Sequence, residues 1–251
     1  MTRFVSRPAL LPLALIVSLA APAAVWAQRG GGAGPAGPAP SGRAAAPEDL
    51  TGTWVSVVAE HWHLRMLVPP RGDVSMLPVN PAARKIAAAW DAAKEPAGDE
   101  QCKGYGAAAI MRVPSRLDIR WAGDNALRMD IDSGTQTRTF TFGGGAAAES
   151  QPLSWQGASA ARWVRGSLQV VTTRMRPGYL RKNGVPYSDQ SRLEEHFDRF
   201  TEPNGDNWLV VDSIVTDPVY LTGPYVTSVA FKKIPDKQGW DPTPCRANEA
   251  R

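Results

Sequence analysis

The chain is short of the residues that most catalytic chemistry draws on. It holds two cysteines and three histidines in 251 residues. Two distant cysteines are too few for a zinc site, and three histidines leave little for histidine-based catalysis. No Gly-x-Ser-x-Gly elbow, phosphate loop, dinucleotide fingerprint or zinc-protease helix motif occurs. That removes the enzyme classes built on those motifs and leaves no cofactor to assign. Charge of one sign is scarce too: 28 Lys and Arg face 24 Asp and Glu, and two of the basic residues, Arg3 and Arg7, sit at the extreme N-terminus. So even a balance predicts no nucleic-acid partner. Long apolar runs are missing after residue 27, which excludes a polytopic membrane protein and predicts no span in the mature chain. The length suits one buried core rather than two independent domains.

What is present begins with an address. Arg3 and Arg7 precede an apolar stretch from Ala9 to Ala24, broken only by Pro12, Ser18 and Pro22, and Val25-Trp26-Ala27 offers small residues where a signal peptidase reads. The pattern predicts a cleaved signal peptide over residues 1–27 and a protein of the periplasm or the cell exterior; a membrane anchor is the alternative, and its prolines disfavour it. In an oxidising compartment Cys102 and Cys245 are expected to form one disulfide. Closing so long a loop is worth about 4–5 kcal/mol by chain entropy. Residues 28–49, rich in Gly, Ala and Pro, read as a flexible linker, and residues 50–251 as a single folded domain.

Within that domain the hydrophobic period is mostly two. Ser115–Trp121 and Ala126–Asp132 alternate across the Gly123-Asp124-Asn125 turn. Thr135–Phe142 follows as a Thr-rich strand. Ser154–Val164 pairs with Ser167–Met175 through Arg165-Gly166, and Arg192–Phe200 with Trp208–Thr216 through Pro203-Asn204-Gly205-Asp206. Tyr225–Lys233 closes the series, and one or two strands are expected between Thr51 and Val68. A single helix is predicted after Asn80 and Pro81, with Ile86, Ala89, Trp90 and Ala93 on one face. The expectation is an all-β, antiparallel up-and-down barrel of about eight to nine strands with one short helix, the alternative being a two-sheet sandwich.

Gly52-Thr53-Trp54, opening the folded domain, is similar to the Gly-x-Trp motif on the first strand of lipocalins and other calycin barrels. The resemblance implies a ligand cavity inside the barrel with Trp54 closing its floor. The C-terminal half, from Trp155-Gln156-Gly157 through Asn183-Gly184-Val185-Pro186-Tyr187-Ser188 to Asp217-Pro218, resembles an uncharacterised group of secreted soil-bacterial proteins. That likeness carries no chemistry with it.

Three groups of residues are candidates for function. Leu193, Glu195, Phe197 and Arg199 share a strand face, so Glu195 between two inward apolar neighbours needs a cationic partner, Arg199 or Arg174; it reads either as a structural pair or as a general acid or base. The segment Arg174–Ser188 turns at Asn183-Gly184 and carries Arg176, Tyr179, Arg181 and Tyr187. It reads as a flap that offers cations and aromatics to an anionic group, or else as one more hairpin. His61 and His63, two apart on a presumed strand, point to the same side and can reach one metal ion, with His196 as the third ligand; the alternative is an ordinary solvated strand face and no metal.

The leading expectation is an exported barrel that binds a small, partly apolar ligand, with an anionic group, through Trp54, Arg176, Tyr179, Arg181 and Tyr187. One alternative is a cofactor-free hydrolase, lyase or isomerase working through Glu195 and Arg174. Another is an envelope accessory protein that docks to a partner through its linker or flap. Oligomeric state is left open by the sequence.

Overall fold

Strict alternation of apolar and polar residues makes each strand a two-faced ribbon, and nine such ribbons bury their apolar faces by closing on one another. The computed structural model describes residues 40–144 and 150–251, and residues 40–251 form one compact unit. Its strands are β1 (Gly52–Val57), β2 (Arg116–Trp121), β3 (Ala126–Ile131), β4 (Gln136–Phe142), β5 (Ala158–Val164), β6 (Ser167–Thr173), β7 (Gly178–Arg181), β8 (Val185–Tyr187), β9 (Arg192–Thr201), β10 (Asn207–Thr216) and β11 (Tyr225–Ile234). The order around the closed barrel is β1-β11-β10-β9-β6-β5-β4-β3-β2, and β7-β8 form a separate two-stranded sheet. A sandwich of two sheets is therefore not the answer: β1 pairs with both β2 and β11 and leaves no open edge. All barrel neighbours are antiparallel except β4 and β5, which run parallel over Phe140–Phe142.

The lumen is filled. Trp54, Leu117, Ile119, Leu127, Met129, Ile131, Phe140, Leu168, Val170, Phe197, Leu209, Val211, Val229 and Phe231 point inward, each no more than 2% exposed, and belong to one contiguous core. This is how small barrels fill their interior. Trp54 lies within this core, its indole N–H donating to Leu50 O at 3.0 Å.

A cap covers one end. It is built from α1 (Trp62–Arg65), α2 (Pro81–Ala89), a 3-10 stretch over Gly98–Tyr105, α3 (Ala107–Ile110) and the β7-β8 hairpin. A second core binds these pieces to the barrel rim, with Leu77, Ala83, Ala87, Leu180, Val185 and Tyr187 meeting Leu193, Val215 and Tyr225. Helix α2 starts as its sequence predicts: the Asn80 side chain accepts from Ala83 N at 3.0 Å, and Pro81 occupies the first turn. Its buried face differs from the expected one. Ala83 and Ala87 are buried and Ile86 is exposed, because the cap comes close enough for only small side chains to fit beneath the helix.

Only one strand, β1, forms between Thr51 and Val68. His61 takes a left-handed backbone conformation (φ 46°), which ends the extended run, and Trp62–Arg65 makes a single helical turn. The His61-Trp62-His63 triplet is therefore not a strand, and two-residue spacing no longer puts its imidazoles on one side.

The disulfide forms as expected between Cys102 and Cys245. It ties the segment after β11 to the 3-10 stretch of the cap, next to Gly134 in the β3–β4 turn and Gln136 at the start of β4. It is consistent with an exported protein. Among the described residues no helix is long and apolar enough to cross a membrane. Residues 1–27, read as a signal peptide, lie outside the described residues, as does the first part of the expected linker. The linker's last residues are seated on the barrel: Gly42 O accepts from the Trp163 indole at 2.7 Å, and Gly42 N donates to Asn125 at 2.7 Å.

Candidate functional site

Glu195 is where alternation puts it, inside the barrel between Leu193 and Phe197, with a fully buried side chain. Its partner is neither Arg174 nor Arg199 but Arg138. Arg138 shares strand parity with Phe140 and Phe142 on β4, so it points into the lumen, while Thr137, Thr139 and Thr141 alternate with it. Its two terminal nitrogens donate to the two Glu195 oxygens at 2.8 and 2.5 Å, a bidentate pair. Thr172 Oγ1 accepts a third bond at 3.3 Å, and the guanidinium stands 5.0 Å from the Phe140 ring centroid. Arg174 instead reaches Gln151 O at 2.9 Å, and Arg199 bonds Asn207. Arg174 lies beyond the end of β6 with a positive φ of 58°, and Arg199 is at the opposite end of β9 from the cap.

The hairpin residues expected to meet a ligand are mostly occupied. Arg176 stacks 4.0 Å above the Trp155 ring and pairs with Glu100 at 2.6 Å. The Tyr179 hydroxyl donates to Glu95 at 2.5 Å, and that carboxylate also takes Trp90 Nε1 at 2.8 Å and Lys103 Nζ at 3.0 Å. Burial, reinforced by Glu95, pushes the Tyr179 phenol up. Tyr187 is buried against Gly106 and Gly178, where an added Cβ would lie 2.2 and 2.7 Å from its hydroxyl. Burial raises that phenol as well. Tyr187 packs within the cap, and its hydroxyl has no hydrogen-bond partner among the described residues. His196 bonds Glu194 at 3.2 Å on the flank of β9. Among the described residues no group of three or more His, Cys, Asp or Glu is placed to hold a metal ion.

Arg181 is different. It is 5% exposed and meets two other buried arginines, Arg65 at 3% and Arg112 at 8%, neither of which the sequence singles out. Arg65 donates through Nε to Arg112 O at 2.9 Å and pairs with Glu60, the one carboxylate in the group. Arg181 gives one bond to Ser75 O at 2.6 Å. Arg112 lies 6.0 Å over the Tyr225 ring and forms no ion pair among the described residues. Four guanidinium nitrogens remain buried without a partner: Arg65 Nη2, Arg112 Nη2 and both Nε and Nη1 of Arg181; the Tyr225 hydroxyl joins them. Desolvation pushes Arg65 and Arg112 below the ordinary arginine range, with Glu60 opposing it at Arg65.

Two adjoining clefts open onto this cluster, and Arg112 and Arg181 line both. One, about 30 Å³, is also bounded by Leu64, Arg65, Leu67 and Lys182. The other, about 200 Å³, is bounded by Glu60, His61, Met76, Tyr225 and Val226. Lys182 has no carboxylate within ion-pair distance among the described residues. Its ammonium lies 3.9 Å over the Tyr105 ring and donates to the Tyr105 hydroxyl at 2.5 Å, and burial brings it down to about 7.

Chemically, such a cluster can hold a carboxylate, phosphate or sulfonate through several charge-assisted bonds at once. Of the five residues expected to bind ligand, the structure brings only Arg181 to it. The signal for the others was thin: Arg112 ends the Ala107–Met111 apolar run, and Arg65 sits in a segment with no period. Comparison with family models, with curated proteins and with solved structures finds no match to this chain.

Proposed function

We propose that this protein is an exported, calycin-like barrel that binds a small molecule carrying an anionic group, in the cap cleft between Arg112 and Arg181 rather than in the lumen. The observation that carries this reading is the set of four buried, unpartnered guanidinium nitrogens on three arginines that line the cap clefts, Arg112 and Arg181 in both and Arg65 in the smaller. A buried charged donor left unpaired costs about 1–3 kcal/mol or more. A chain that keeps four of them around one opening gains most when an anion enters. The apolar parts of the cleft, Leu64 and Leu67 on one side and Met76 and Val226 on the other, suit a ligand that is charged at one end only.

The test is a calorimetric titration with inorganic phosphate and with short carboxylates, on the parent chain and on Arg112→Gln and Arg181→Gln. Binding by the parent and at least a tenfold loss in each variant are expected. A parent chain that binds none of these anions, or variants that bind them equally well, would overturn the proposal. Glu195 plays no part in this reading: both its oxygens are bonded to Arg138 and its side chain is fully buried.

A further inference from the structure

Apolar side chains are concentrated around the cationic clefts. Eight large hydrophobic residues are exposed among the described residues; three of them, Leu67, Met76 and Val226, line these clefts, and two more, Trp62 and Met66, flank the turn that carries Arg65, each of the five between 51% and 61% exposed. Leu67 lines the smaller cleft, and Met76 and Val226 line the larger. Trp62 and Met66 bracket the single turn of α1 that carries Arg65. An exposed apolar patch beside buried unpartnered charge is unusual for a surface that faces water alone.

We propose that this face seats on an anionic membrane surface, with a lipid headgroup entering the Arg112–Arg181 cleft and the apolar collar resting in the interfacial layer. The inference rests on the anion-site reading and names the source of the anion. Size argues for a lipid still in its bilayer. Pockets that enclose a whole drug-sized ligand run to about 300–1,000 Å³, whereas these clefts measure about 30 and 200 Å³. They admit a headgroup and leave the acyl chains outside, where Trp62, Met66 and Leu67 stand exposed. Trp at the rim fits the headgroup layer, since its ring is apolar and its N–H can still be hydrated. Charge argues against a second copy as the occupant: apposing two such faces would bring six arginines together around two copies of Glu60.

The experiment uses residues 40–251, which form one compact unit, so that the apolar N-terminal run cannot itself insert. Co-sedimentation is measured with vesicles of phosphatidylcholine alone and with vesicles containing phosphatidylglycerol, alongside calorimetry with inorganic phosphate. The parent is expected to sediment with anionic vesicles and not with neutral ones. The double variant Trp62→Ser/Met66→Ser, whose positions border neither cleft, should lose at least tenfold in vesicle affinity and keep phosphate binding, which also shows that it is folded. Arg112→Gln/Arg181→Gln should lose both. Phosphate binding without vesicle binding would overturn the membrane proposal and leave the anion site standing. Loss of both in the parent overturns both readings. Vesicle binding that survives Arg112→Gln/Arg181→Gln, or light scattering that shows a dimer dissolved by Trp62→Ser/Met66→Ser, would overturn the headgroup role as well.

Discussion

The protein buries arginine in two places and treats it in opposite ways. In the lumen, Arg138 meets one carboxylate in bidentate geometry, takes Thr172 as a third acceptor and leaves only Nε without a partner. In the cap, only Arg65 of the three arginines Arg65, Arg112 and Arg181 reaches a carboxylate, that of Glu60, and four nitrogens are left over. Burial is nearly the same, so exposure alone does not separate a structural charge from a binding one. The account of partners does. The lumen arginine has its acceptors within the packed core, while the cap arginines leave four donors without any, and the proposed anion site rests on that difference.

The contrast can be broken most sharply at the lumen. Glu195→Ala leaves Arg138 buried and uncompensated and should cost about 3–5 kcal/mol in denaturant unfolding. Replacing both partners, as Arg138→Met/Glu195→Leu, should recover most of that loss. If Glu195→Ala proves neutral, the pair is not holding the core. Opening the Cys102–Cys245 disulfide by Cys→Ser at both positions should cost about 2–4 kcal/mol, less than the chain-entropy figure because an unfolded chain that keeps some structure is already partly constrained. Because the bridge braces the 3-10 stretch next to the cleft, anion affinity should fall with it, measured by the same titration.

Lys182 sharpens the comparison through pH. It faces the Tyr105 ring and hydroxyl, with Glu249 the acid that acts on it from a distance. Below pH 7 folded and unfolded chains both carry its proton, so the cost of burying the charge is present in full. From about 7 up to the ordinary lysine value the folded chain gives up the proton and the unfolded chain keeps it, and stability therefore rises with pH across that window. Lys182→Met should stabilise by about 1–3 kcal/mol at pH 6, and the gain should shrink toward pH 10. A gain independent of pH would refute the assignment. The smallest effect is expected at the cleft itself. Arg181→Met removes two unpaired buried donors and should change unfolding free energy by less than about 1 kcal/mol, in either direction, while abolishing anion binding. A loss near that of Glu195→Ala would erase the distinction between the two regions.

Much of the barrel was legible because each hairpin has one wet face. Leu127, Met129 and Ile131 alternate with Arg128 and Asp130, and they are buried in β3 as the pattern requires. The same parity rule carries Glu195 inward, and applied to β4 it carries Arg138 inward beside Phe140 and Phe142. It could not show that these two meet, since β4 and β9 are not neighbours in the sheet and face each other only across the closed barrel. The cap was far less legible. Its packing relies on Ala83, Ala87, Ala107 and Ala108, small residues that leave no strong period, while the larger Ile86 faces out. Three residues of alternation at His61-Trp62-His63 imitate a strand that a left-handed backbone at His61 ends. The arginine cluster gathers Arg65, Arg112 and Arg181 from three separate pieces of chain, and only tertiary packing brings them together.

The parallel contact between β4 and β5 carries one more consequence. A ring of strands that reverses direction at every step closes only with an even count, so a ring of nine must contain one like-directed pair. Here that pair joins just three residues on each side, Phe140–Phe142 with Ser159–Ala161. Opening it would unroll the barrel into a single open sheet that keeps all eight of its antiparallel pairings, from β4 through β1 and β11 to β5. A backbone cut in the connection over residues 143–157 would divide β1–β4 from β5–β11 and leave the two pieces joined through the Cys102–Cys245 disulfide.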